Sequence, residues 1–394
     1  MKKLLLATVA TAALAGAASA EDAKIGISLG YTGPLESMSP AMTQGAEMAI
    51  KEVTDSGKFM GGSKVTSVQV DNTCADAAAS VAAVERLVTS EKVNGIMGGM
   101  CSGETIASLE RVAVPNGMVM ISPSATSPAL TDIQDQGYFF RTSPSDARQG
   151  EVMSDIMNER GVKNAAVTYT NNDYGKGLAD SFAASFAKKG GTITITAPHD
   201  DGKADYSAEV AALAAAGGDA LVVAGYVDQG GSGIVRGALD TGAFQTFVFP
   251  DGMMSDALVD RFGTELSTSF GQNPSAEGPT RDKFLEMTKA AGFDGNSAFA
   301  GESYDAASLL LLAMEAAKST DPKVYKDQVM NVANAPGEKI GPGELAKGLE
   351  LLAAGTDIDF VGATSVELVG PGESAGVSRE VDFPEGKIHV VNLH

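Results

Sequence analysis

The chain has 394 residues, 44% of them hydrophobic and 20% charged, with a formal net charge of −21. This is the composition of an ordinary globular protein long enough for two domains, and its acidity argues against nucleic acid and anionic membrane surfaces as partners. Three histidines and two cysteines leave little for metal chemistry, and no HExxH, CxxC or EF-hand spacing is present, so neither a metal nor a cofactor is expected.

The first twenty residues read as a secretory signal peptide. Lys2 and Lys3 form a charged start, Leu4 to Gly16 an apolar run, and Ala18-Ser19-Ala20 a small-residue cleavage site. The run is too short to span a bilayer, and no lipobox cysteine follows, so a soluble periplasmic protein cleaved after Ala20 is expected. Loss of the two lysines takes the net charge from −21 to −23. In an exported chain, an isolated pair such as Cys74 and Cys101 is expected to form a disulfide.

Beyond the signal, strands and helices alternate. Strand Lys24 to Gly30 is followed by helix Pro40 to Asp55, strand Lys64 to Asp71 and helix Ala75 to Glu91. Strands Asn94 to Gly98, Val119 to Ser122 and Tyr138 to Arg141 come next, ending in the turn Thr142-Ser143-Pro144-Ser145. The cycle restarts with helix Asp146 to Arg160 and strand Ala165 to Thr170. Helix Gly175 to Lys188, strand Thr192 to Thr196, helix Tyr206 to Ala216 and strand Ala220 to Ala224 follow. From Asp251 onward the pattern is mostly helical, clearest at Arg281 to Ala291 and Ser303 to Lys318, with strand-like runs at Ala363 to Val369 and Ile388 to Asn392. Two such series predict an α/β protein of two doubly wound, parallel-sheet lobes, with the tail returning to complete the first lobe and crossing once more. The three expected crossovers lie near Thr142 to Ser145, Pro250 to Gly252 and Gly370 to Gly376. They give a first lobe of 21–143 plus 252–372 and a second of 144–251 plus 373–394.

The candidate site residues cluster after strands. Cys101-Ser102-Gly103-Glu104-Thr105 and Ser122-Pro123-Ser124-Ala125-Thr126-Ser127 are rich in hydroxyls, and turns at strand ends that open helices suit a carboxylate. Gly99-Met100-Cys101-Ser102-Gly103 also fits a nucleophile elbow, which would make Cys101 the nucleophile of a thiol hydrolase. That reading needs a histidine base, and His199, His389 and His394 have no suggestive setting, so no enzymatic activity is expected. Gly230-Gly231-Ser232-Gly233 matches no phosphate loop and reads as a turn. Tyr174, Tyr226 and Asp251 fall at equivalent strand ends of the second series, with Asp251 able to take a ligand ammonium.

These segments resemble the leucine/isoleucine/valine-binding type of periplasmic substrate-binding protein, the type I "Venus flytrap" component of ABC importers. The likeness rests on Gly26 to Pro34, Asp71-Asn72-Thr73-Cys74, Met100-Cys101-Ser102, Ile121 to Pro128 and Asn172-Asp173-Tyr174-Gly175-Lys176-Gly177. The resemblance implies that Ser102 and Thr126 bind a ligand α-carboxylate and that the backbone of Ser124 and Ala125 lines the same anchor. It implies further that Asp251 neutralises the α-ammonium, Tyr174 and Tyr226 close over the ligand, and Phe299 packs on its side chain. Met38 stands where that family often has an aromatic, and Asp251 where it often has Glu. The implied function is capture of an amino acid, branched-chain or otherwise apolar, by a monomer that delivers it to ABC permease subunits. Binding of urea, short amides or aromatic acids is the alternative within the same fold.

Overall fold

The computed structural model describes residues 22–394; the predicted signal peptide lies outside the described residues. Ten strands come in two runs of five. The first run is β1 (Ala23–Leu29), β2 (Val65–Asp71), β3 (Gly95–Gly98), β4 (Met120–Ser122) and β5 (Phe139–Arg141). The second is β6 (Asn164–Thr170), β7 (Thr192–His199), β8 (Ala220–Ala224), β9 (Phe247–Phe249) and β10 (Phe270–Ser275). Within each run the strands pair in parallel, and helices on both faces leave β8 and nearly all of β1 buried along their length. This is why those segments read as continuous apolar runs rather than alternating ones.

Six short strands complete the molecule: β11 (Glu338–Ile340), β12 (Ile358–Phe360), β13 (Leu368–Val369), β14 (Glu373–Ser374), β15 (Val377–Asp382) and β16 (His389–Leu393). The two large sheets have the orders β13-β14-β5-β4-β3-β1-β2 and β16-β15-β10-β9-β8-β6-β7, and β11 and β12 pair separately. The chain therefore passes between the sheets three times, after Arg141, after Ser275 and between Ser374 and Val377. The middle passage differs from the expected one at Pro250 to Gly252. β10 pairs parallel with β9 and antiparallel with β15, so residues up to Ser275 stay with the second sheet. Its sequence, Phe-Gly-Gln-Asn-Pro-Ser, carries no strand pattern, and only the pairing makes it one.

The helix Ala300–Ala317 is the spine of the first lobe. It is buried all round from Ala300 to Glu315 and packs on the helix Ser39–Ser56. Gly45 permits this approach, since a Cβ there would stand 2.2 Å from the carbonyl oxygen of Ala300.

Ionisable groups sealed into this interior give the fold a pH dependence. Burial pushes Glu104, Glu302 and Asp305 up to about 7 from an ordinary 4.5, 4.5 and 3.8, and pushes His199 down from 6.5 to about 4. A carboxyl raised in the fold holds its proton more tightly there than in the unfolded chain, so stability falls as pH rises through that window. The lowered His199 acts in the opposite sense between its two values. With three groups against one, the protein is expected to lose Tm as pH rises from about 4.5 to about 7, these groups adding little further change above that. Thermal unfolding across this range checks it, and a Tm that climbs from about pH 4.5 to about pH 7 would contradict it.

Candidate functional site

The carboxyl ends of both sheets' central strands face each other across one cleft. It is lined by Leu35, Met100, Cys101, Ser102 and Ser124 from one side and Tyr174, Tyr226, Asp251 and Gly252 from the other, with Phe299 between them. Strand ends at which helices begin are where an open α/β sheet presents donors to a ligand.

On the first side, β3 runs through Gly99 to Cys101 into the helix Ser102–Ser108. Glu104 holds this turn from behind. Its Oε1 accepts the N–H groups of Met100 (2.7 Å) and Cys101 (3.1 Å) and the Asn72 amide (2.9 Å), and its Oε2 accepts the Ser80 hydroxyl (2.6 Å). A disulfide joins Cys101 to Cys74. Ser102 Oγ accepts the Ser127 N–H at 3.0 Å, which ties the turn after β3 to the turn after β4. Among the described residues no acceptor takes the Ser102 hydroxyl proton, so that proton is free to meet an anion in the cleft.

The second turn is braced by Ser124 itself and by two groups that sequence reasoning did not place in the site, Ser122 and Arg141. Ser122 Oγ accepts the N–H groups of Ser124 (3.2 Å) and Ala125 (2.9 Å), and the Ser124 hydroxyl donates to the Met100 carbonyl (2.8 Å). The buried Arg141 donates to the carbonyls of Ala125 (3.1 Å) and Ser127 (2.9 Å) and pairs with Glu373. The Ala125 N–H and carbonyl are thus already engaged. Neither Ala125 nor Thr126 is among the residues lining the cleft. Thr126 is fully buried, with its hydroxyl turned toward Asp146 rather than to a hydrogen-bond partner.

On the second side, the Asn172 side chain caps the helix Asp173–Lys188 by accepting the Gly175 N–H at 3.0 Å, which points Tyr174 into the cleft. Tyr174 stacks on Tyr226 with ring centroids 5.1 Å apart and planes 11° from parallel. The Tyr174 hydroxyl donates to Asp251 Oδ1 at 2.6 Å, and the Gly252 N–H donates to the same oxygen at 2.7 Å. Asp251 is only 1% exposed, and its Oδ2 has no partner. Burial raises its pKa, opposed by the hydrogen bonds from Tyr174 and Gly252 and by the nearby Gln149 amide. Asp146 lies behind it, linked through Gln149, whose amide donates to Asp146 Oδ1 at 3.3 Å. Burial first and the charge of Asp251 second drive the Asp146 pKa well upward, against the pull of Arg141. Both carboxyls are buried, and Arg141, which acts on Asp146, is already paired with Glu373, so holding both charged is costly unless one is protonated or a second cation arrives.

Of the nine expected site residues, the cleft brings together Ser102, Ser124, Tyr174, Tyr226, Asp251 and Phe299. Phe299 sits at φ +63°, a left-handed conformation that is strained for an aromatic residue and caps the start of the spine helix. Met38 is buried but lines a neighbouring chamber, and Leu35 takes the place beside the cleft. Both follow the turn at Gly33-Pro34, where Gly33 has φ +105° and a Cβ would meet the Thr73 carbonyl oxygen at 2.3 Å, so glycine alone fits. Arg141 and Asp146 could have been found as charged residues at the end of an otherwise apolar strand and in the turn that follows it.

The two sides are in contact. The Ser37 N–H donates to Asp228 Oδ2 (2.9 Å), the Asp228 N–H to the Pro34 carbonyl (3.1 Å), and the Ser127 hydroxyl to the Asp173 carbonyl (3.0 Å). The cleft left between them is about 10 Å³, room for one water. A larger groove of about 790 Å³ lies between the helices Ser207–Ala216 and Gly230–Thr241. It touches no residue of the first sheet's side and none of the expected site residues, so the site is assigned to the cleft.

Residues 22–337 match the family model described as periplasmic binding protein. The chain is 31% identical over 351 residues to "Leu/Ile/Val-binding protein homolog 1" of Brucella melitensis, covering 87% of this chain and 90% of that protein. Among solved structures, a leucine binding protein from Thermotoga maritima superposes with a TM-score of 0.80 at 22% identity, over 94% of this chain and 98% of that one. The substrate-binding protein of a branched-chain amino acid transporter from Streptococcus pneumoniae, solved with isoleucine, gives 0.77 at 25% identity, over 94% and 99%. The fold is that of these proteins, two mixed, largely parallel sheets flanked by helices.

Proposed function

We propose that this chain, which belongs to the periplasmic binding protein family, captures a free α-amino acid, branched-chain or otherwise apolar, outside the cytoplasm and hands it to the permease of an ABC importer. The observation that carries this reading is the polarity of the cleft. A free hydroxyl proton on Ser102 faces a buried carboxylate oxygen of Asp251 that has no partner. One end suits a carboxylate and the other an ammonium, and apolar Leu35 and Phe299 lie beside them. The printed names of the Brucella and Streptococcus relatives support the same ligand class.

In this reading the Ser102 hydroxyl holds the α-carboxylate, and Ser124, Ala125 and Thr126 shape the turn behind it. Asp251 takes the ammonium, and Tyr174 and Tyr226 cover the ligand. We draw the lobes by sheet membership, with hinge segments at 142–145, 276–278 and 375–376. The lobes part to admit the ligand and close through Ser37, Asp228 and Ser127, and closure is favoured to the extent that the ligand touches both lobes. The protein acts as a monomer, is exported by cleavage after Ala20, and carries out no covalent chemistry. Cys101, held in its disulfide, does not serve as a nucleophile.

A thermal-shift screen of refolded, ligand-stripped protein against amino acids, short amides and aromatic acids tests this. An apolar amino acid at about 100 times its Kd should add about 2.7 kcal/mol and raise Tm by several degrees. A response confined to amides or aromatic acids would overturn it.

A further inference from the structure

Behind the Asp251 end of the cleft lies a second carboxyl. Asp146 opens the helix Asp146–Glu159 and is 0% exposed, against 1% for Asp251. The Gln149 side chain stands between them. Its amide donates to Asp146 Oδ1 at 3.3 Å, and its carbonyl oxygen lies 3.5 Å from the Asp251 backbone nitrogen. Each carboxyl keeps an Oδ2 that is sealed from water and has no hydrogen-bond partner among the described residues. The elements packed around the pair bring one cation and two phenols. Arg141 comes from the end of β5 and is already paired with Glu373. Tyr174 donates to Asp251 Oδ1 from the start of the helix Asp173–Lys188, and Tyr226, after β8, stacks on Tyr174. Burial holds both phenols in their neutral form. The Thr126 hydroxyl, after β4, is neutral and unpartnered.

With the cleft empty, two charged carboxylates here would share a cation that Glu373 already engages. One proton on the pair removes that cost, and so does an arriving ammonium, so the two compete for the same charge. The pair titrates as a unit, and burial together with the charge of Asp251 pushes Asp146 in the direction that keeps a proton. Resting on the amino-acid reading above, we propose that Asp146 is a positioning residue for capture: it makes the Asp146–Asp251 pair hold one proton while the cleft is empty, and that proton is released when the ligand ammonium reaches Asp251. The charges balance. The pair goes from one negative charge to two, the ammonium brings one positive charge, and the proton passes to water. Asp251 lines the cleft and Asp146 does not, so the proton leaves past Asp251 before the lobes close. Capture is thereby proton-linked and weakens in acid.

Calorimetric titration of ligand-stripped protein with L-leucine and with L-phenylalanine, at about pH 6.5 in phosphate and in bis-Tris, tests this. The two buffers take up a proton with very different heats, so the difference between the observed enthalpies counts the protons released. More than about half a proton per ligand is expected, and Kd should rise by up to about tenfold for each pH unit toward acid. Asp146→Asn keeps the acceptor for the Gln149 amide and removes the neighbouring charge. Its proton release should fall close to zero, and its Kd should stay flat over the same range. The native protein is measured without any variant, so the test still decides if Asp146→Asn folds poorly. Equal enthalpies in the two buffers, or a release unchanged in Asp146→Asn, would overturn the role of Asp146 while leaving amino-acid capture standing. If neither amino acid binds at any pH, both readings fall.

Discussion

Asp251→Asn is expected to weaken amino-acid binding by about 2–5 kcal/mol, a loss of roughly 30-fold or more, the usual cost of breaking a buried charge pair. The substitution keeps the shape of the side chain and its acceptor for the Tyr174 hydroxyl and the Gly252 N–H, bonds of 2.6 and 2.7 Å in the native protein. What it removes is the charge on the unpartnered Oδ2, the carboxylate that favours an ammonium over a neutral group in the cleft. Stability should move the other way. Asp251 and Asp146 are buried together and each carries a raised pKa, so neutralising one relieves the other. The ligand-free variant should melt at or above the temperature of the native protein. Calorimetric titration and a melting curve on the same sample separate the two effects. If Asp251→Asn binds amino acids as well as the native protein, the ligand has no ammonium at this position, and amides or aromatic acids become the better candidates. Ser102→Ala should also weaken binding, but by less, because it removes a neutral hydroxyl donor rather than a buried charge.

Removing the disulfide should be the largest single loss of stability. Cys74 and Cys101 are 27 positions apart and both are buried, so the chain-entropy model assigns their bond about 3–4 kcal/mol. Cys74→Ala with Cys101→Ala should lower the denaturant midpoint, with an m-value that rises if it changes, since the unfolded chain is released to expand. Affinity should fall as well, since Cys101 directly precedes Ser102 and the bond fixes the turn on which that hydroxyl stands. The intact mass of native protein from the periplasm reads two expectations at once: loss of residues 1–20, and two hydrogens fewer than the dithiol. Two free thiols in denatured, unreduced protein would overturn the pairing and reopen Cys101 as a nucleophile.

The alternation of strands and helices in the first 250 residues was legible because each parallel strand must be apolar on both faces and each covering helix on one, which prints two periodicities on the chain. The hydroxyl-rich turns, the two tyrosines and Asp251 could be read from the same source. They lie where strands end, and strand ends in such sheets converge. The sequence by itself determined the fold class, the pairing of strands with helices and six of the residues that meet in the cleft.

Tertiary structure alone decided three other matters. β10 is a strand only because β9 and β15 offer it partners, so the middle passage between lobes falls after Ser275. Arg141 and Asp146 enter the neighbourhood of the site because burial leaves each charge no water to bond. Their partners, Glu373 and Asp251, are more than a hundred residues away. Leu35 rather than Met38 lines the cleft, after a turn at Gly33 that the carbonyl of Thr73 closes to any side chain. In each case the deciding interaction joins residues far apart in the chain, and local patterning carries no record of which distant groups will be brought into contact.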